Sequence, residues 1–117
     1  MPRAATSVSG GGIQTKTGSF TRDISTASGT QAVTGTGFQA TVLIFFFAVS
    51  GSVDGGWGFS DAAGNNGLSR ITSDTFDWNS GVAIYLNTSV GATYSGVVSS
   101  FDSNGFTITW TKGGHIS

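Results

Sequence analysis

Cysteine and glutamate are absent from the 117 residues, proline, histidine and methionine occur once each, and leucine only three times. Without cysteine there is no disulfide framework, no thiolate metal site and no thiol nucleophile, so cohesion must come from packing or assembly. The shortage of Leu, Met and Glu removes the strong helix formers and argues against a helical protein. Only 11 side chains are charged, spread singly to a net −1, which leaves no basic stripe for phosphates and no polybasic patch for anionic lipid. Neither nucleic acid nor a membrane is therefore an expected partner. The longest apolar run, 42–49, is eight residues, where a spanning helix needs about 20. Residues 1–6 also lack the apolar core of a signal peptide, so the chain is expected to be made in a cytoplasm and not exported by that route.

In place of the missing types stand 19 Gly, 17 Ser and 16 Thr, together with 9 Phe, 9 Val, 7 Ile and 3 Trp. These β-branched and aromatic residues suit a pleated, half-buried surface, and the small ones suit turns. The pattern predicts one all-β domain: a jelly-roll-like β-sandwich over 13–117, preceded by a Gly/Ser-rich N-terminal arm over 1–12 that is flexible unless docked. About nine short strands are expected. One long or two short strands cover 13–24, and others run over 31–34, 41–50, 57–60, 68–72, 75–78, 82–87, 93–101 and 106–112. Residues 61–67 read as a Gly/Asn-rich tip, and Asp102-Ser103-Asn104-Gly105 as a hairpin turn in which Gly105 supplies a positive φ. After that turn Phe106, Ile108 and Trp110 share a core face, while Thr107, Thr109 and Thr111 share a wet one.

The strand over 41–50, taken as central, is apolar on both sides. Val42, Ile44, Phe46 and Ala48 alternate with Leu43, Phe45, Phe47 and Val49. Either the arm or a loop covers its second face, or that face is a subunit interface. On the interface reading, Leu43, Phe45, Phe47 and Val49 form the contact of a homo-oligomer, expected to be a trimer. Arg3 and Val8 are the residues of the arm able to anchor it on a capsid or a neighbouring subunit.

No catalytic set is legible. Asp54, Asp61, Asp74, Asp77 and Asp102 sit in or beside predicted turns, where Asp bonds its own backbone. Asp74 with Asp77 is the one close carboxylate pair, and sequence spacing does not place them across a cleft. His115, behind two glycines near the C-terminus, is a poor platform for a triad. The run 61–67 lacks the oxygen side chain at the third position and the closing bidentate Glu of a calcium loop. No metal or other cofactor is implied, and an enzyme is not expected. Trp57 and Trp78 are the alternative candidates, as an aromatic platform for a glycan.

Several motifs in order resemble a known family. Thr17-Gly18-Ser19-Phe20-Thr21 is followed by the stretch from Gly29 to Phe38 and by Val42-Leu43-Ile44-Phe45-Phe46-Phe47. Gly58-Phe59-Ser60-Asp61 and the stretch from Ser100 to Trp110 come later. Across roughly 15–111 this order resembles a β-rich structural protein family of tailed bacteriophages, whose members are capsid decoration proteins, head fibres or tail-fibre modules. The resemblance implies a virion surface component. A single domain with a short arm favours a capsid decoration (cement) protein that binds the major capsid protein on the capsid exterior. A receptor- or glycan-binding fibre module is the alternative.

Overall fold

Large residues alternate with small ones in several stretches, as in 56–60 and 105–111, and there the period of two is realised as strands. The computed structural model describes residues 13–50, 55–72, 75–89 and 92–113. It contains eight strands among them: β1 (Gly29–Thr34), β2 (Val42–Ala48), β3 (Gly55–Asp61), β4 (Gly64–Thr72), β5 (Thr75–Ser80), β6 (Ile84–Ser89), β7 (Ala92–Asp102) and β8 (Gly105–Gly113). They form two antiparallel four-stranded sheets, ordered β1-β8-β7-β6 and β2-β3-β4-β5. The expected all-β sandwich is thus the fold. The chain crosses between sheets twice, after β1 and after β5, and β8 returns to pair with β1, so that the first and last strands are neighbours.

The sheet β1-β8-β7-β6 supplies most of the core: Ile84 and Leu86 from β6, Tyr94 and Val98 from β7, and Phe106, Ile108 and Trp110 from β8. The Phe106–Ile108–Trp110 face is buried as the alternation requires. Across from it, β2 contributes Phe45, whose ring meets those of Phe106 and Phe20 edge-on at 5.7 and 6.1 Å. Such T-shaped contacts match the negative face of one ring to the positive rim of another. Tyr94 stacks on Trp110 at 5.3 Å. The facing surfaces of β3 and β4 carry little bulk: Gly56, Gly58 and Ser60 on β3 and Gly67 and Ser69 on β4, with both serines buried. These small residues let the chain entering β6 pass against the sheet, and a Cβ on Gly58 would collide with the Ala83 carbonyl. Asn65 ties the sheets together there, its carbonyl accepting from Gly81 N–H (2.8 Å) and its side chain from Val98 N–H (3.0 Å).

Four local expectations are corrected. Residues 13–24 form no strand; instead Phe20 and Ile24 are packed against the core. Arg22 anchors this segment, donating from Nε to the Tyr94 hydroxyl (2.9 Å) and lying 5.8 Å from the Trp110 ring. β2 is an edge strand, not a central one, because β3 pairs it on one side only. The 61–67 tip shrinks to Ala62 and Ala63, since β4 already begins at Gly64. Gly105 is not among the glycines with positive φ, and the turn residues are Ser103 and Asn104. Space is what position 105 lacks, for a Cβ there would strike the Val33 carbonyl of the neighbouring β1.

Candidate contact face

Because β3 and β4 turn their small residues inward, their large ones stand on the outer surface of the sheet. The register makes a transverse row across all four strands, Phe46 beside Trp57, Trp57 beside Leu68 and Leu68 beside Trp78. A second row sets Ile44 beside Phe59, Phe59 beside Asn66 and Asn66 beside Ser80. Fractional exposures are 82% for Phe46, 64% for Ile44, 58% for Trp78, 56% for Val42 and 41% for Trp57. Taking about 150–250 Å² for a whole aromatic side chain, these five expose on the order of 600 Å² of mostly apolar surface. That is at or above the largest apolar patch of a typical soluble monomer, about 300–600 Å². Phe59 and Trp78 support each other, their rings tilted by 50° at 6.4 Å.

Polar side chains accompany the aromatic row. Asn66 and Ser80 belong to the second row, and Asp61 stands at the end of β3. The Asp61 carboxylate accepts from the Ala63 and Gly64 backbone N–H groups (2.8 and 3.2 Å), the turn role expected of it. Asp102 instead accepts from side chains about its hairpin, the Ser100 and Thr107 hydroxyls, at 2.8 Å each. Asp77 stands within β5, while Asp54, Asp74 and His115 lie outside the described residues. Among the described residues no three His, Cys, Asp or Glu side chains gather as a metal site would require.

The contact expected at Leu43, Phe45, Phe47 and Val49 is on the other side of β2. Phe45 is 7% exposed and belongs to the core, and Leu43, Phe47 and Val49 are half-buried against it. The physical reason is the edge position of β2: its inner face closes the sandwich over β8 and Phe20, so the face left in water is Val42, Ile44 and Phe46. Arg3 and Val8 lie outside the described residues. Trp57 and Trp78 stand on one exposed surface two strands apart, which is roughly 10 Å at ordinary strand spacing. Trp110 is buried, its indole N–H donating to Gln31 Oε1 at 2.9 Å.

Along the free edge of β2 runs a groove of about 1490 Å³, whose other wall is the segment 13–24. Residues 13–19 of that wall are exposed throughout, Ile13 at 94%. Sequence reasoning placed Trp57 and Trp78 as candidates but missed Phe46, Ile44 and Phe59. The signal was the alternation Gly56-Trp57-Gly58-Phe59-Ser60, in which one parity is large and the other too small to be an outer face alone. No protein-family model, no curated protein and no solved structure matches this chain.

Proposed function

We propose that this chain is a bacteriophage virion structural protein, a capsid decoration protein that binds the assembled shell from outside and stabilises it by bridging subunits. The observation that carries the reading is the exposed aromatic face of β2-β3-β4-β5. Apolar area of this size, with Phe46 at its prominent edge, is stabilised by burial against a protein neighbour. The resemblance of the motif order to tailed-phage structural proteins supports the location, and on this reading the face is the means of attachment. Whatever binds only the assembled shell shifts its stability by mass action and needs no chemistry. The test is co-sedimentation with emptied heads that lack the protein. Saturable uptake at many copies per particle is expected, with loss of uptake in the Phe46→Ser/Trp57→Ser double variant. Absence of uptake by the wild type would refute the proposal.

A second reading has its own observation. Trp57 and Trp78 share one surface with Asn66 and Asp61, so aromatic faces for stacking on sugar C–H groups lie near groups able to bond hydroxyls. On this reading the protein is a receptor- or glycan-binding fibre module. Binding of the isolated protein to host cells or their polysaccharide, abolished by Trp57→Ala, favours it over the shell reading.

A further inference from the structure

Every strand at the margin of a sheet carries a row of unpaired N–H and C=O groups, and proteins blunt such edges with charge, proline, bulges, short length or a covering loop. The four margins here are β1, β6, β2 and β5. The ladders of β5 and β6 each contain a register shift, between Arg70 and Thr72 and between Asn87 and Ser89. β1 begins with glycine, exposes threonines, and has Gln31 bonded to the Thr21 carbonyl (2.8 Å). Within the strand, β2 has none of these devices; the segment 13–24 stands across the groove from its edge, and a partner strand would enter that groove. The seven residues of β2, Val-Leu-Ile-Phe-Phe-Phe-Ala, include no charge, proline or glycine, and they pair with β3 in unbroken register from Val42 to Ala48.

We infer that β2 is a strand-pairing edge whose occupant is β2 of a second copy of this chain, antiparallel about a two-fold axis. The two sheets then join into one of eight strands, and their exposed aromatic faces become continuous. Self-pairing requires a strand that tolerates its own charge, and an uncharged strand meets that condition without a like-charge clash. An axis at Phe45 sets Ile44 of one copy beside Phe46 of the other and Val42 beside Ala48, all apolar pairs. A three-fold ring offers no such match, because a heterologous contact joins β2 to some different surface. The two-fold pair therefore replaces the trimer expected from the sequence.

Area fixes how tight the contact is. Val42, Ile44 and Phe46 expose on the order of 400 Å² per copy, of which edge pairing covers only the lateral part, so the contact stays below half of the roughly 800 Å² per partner of a standard stable interface. The dimer is accordingly weak in solution and favoured where copies are held close together, as on a lattice.

The test is sedimentation of the full chain from about 10 µM to about 1 mM, a range that brackets weak association. The wild type should pass from monomer to dimer. Ile44→Lys, at an exposed position, should keep its melting temperature and weaken association at least about tenfold. Val42→Lys is the second variant should the first fail to fold. Trp78→Lys, on the opposite margin of the sheet, should leave the association curve unchanged. A wild type that stays monomeric throughout, or forms a trimer, overturns the inference. So does a Trp78→Lys variant that dissociates as Ile44→Lys does, since that result means stacked faces and not paired edges. Shell uptake fails or succeeds separately, in the co-sedimentation experiment.

Discussion

Replacing Gly58 by alanine tests the packing that turns the large residues of β3 outward. A Cβ at this position would meet the Ala83 carbonyl oxygen and carbon, and the Asn66 carbonyl oxygen at 3.0 Å. All are backbone atoms, so no rotamer change relieves the overlap, and Ala83 is itself held by its N–H bond to the Gly96 carbonyl (3.0 Å). Overpacking costs about 1–3 kcal/mol when side chains can adjust. Here the sheets must separate locally, and a loss of about 3 kcal/mol or more is expected. For a chain of this size each kcal/mol lowers the melting temperature by roughly 3–6 °C, which makes about 10–18 °C in all. Thermal and urea unfolding of the purified variant measure it, with Gly29→Ala as the control because nothing lies within 4 Å of its Cβ. The control should be unchanged or gain up to about 1 kcal/mol. A Gly58→Ala variant melting within about 2 °C of wild type would refute the close approach of β6 to β3.

Other outcomes follow from the same packing. Ser60 is fully buried and its hydroxyl has no partner among the described residues, so Ser60→Ala should leave stability equal or raise it by about 1 kcal/mol, read by urea unfolding. Tyr94→Phe removes the hydroxyl that accepts from Arg22 and donates to the Thr26 carbonyl (3.0 Å); a loss of about 1–3 kcal/mol is expected, with faster proteolysis near Arg22. Hydrogen bonds from the Ser25 hydroxyl and then its backbone N–H hold the Asp23 carboxyl below its ordinary 3.8. The contribution of this group is present above 3.8 and is lost as pH falls through the lowered value, so Asp23→Asn should lower stability slightly at pH 7, leave it unchanged in strong acid, and so flatten the acid limb of a stability–pH curve read by urea unfolding. Phe46→Ser, at 82% exposure, should alter folding stability by no more than about 0.5 kcal/mol while raising solubility.

The last strand was legible because its period of two is clear: Phe106, Ile108 and Trp110 had to share a face, and that face is the core. Residues 13–24 have the same β-prone composition yet form no strand, because Phe20 drops between Phe45 and Phe106 and Arg22 bonds Tyr94, contacts across 25 to 86 residues that no local pattern reveals. The face of β2 could not be chosen from its sequence. Both parities are apolar, and only the position of β2 at a sheet margin, over β8, decides that Phe45 goes inward and Phe46 outward. The outward Trp57 and Phe59 follow from the inward glycines, whose purpose is visible only once Ala83 is placed against them.

Protection of the exposed sheet on a particle is the most direct measurement of the central claim. Particle-bound and free protein would be oxidised by hydroxyl radicals and the modified side chains compared. Phe46, Trp57 and Trp78 should lose most of their labelling on the particle, while Tyr85, on a strand of the other sheet, keeps its own. Undiminished labelling of all three aromatic side chains in bound protein would contradict the assignment of this face as the contact surface.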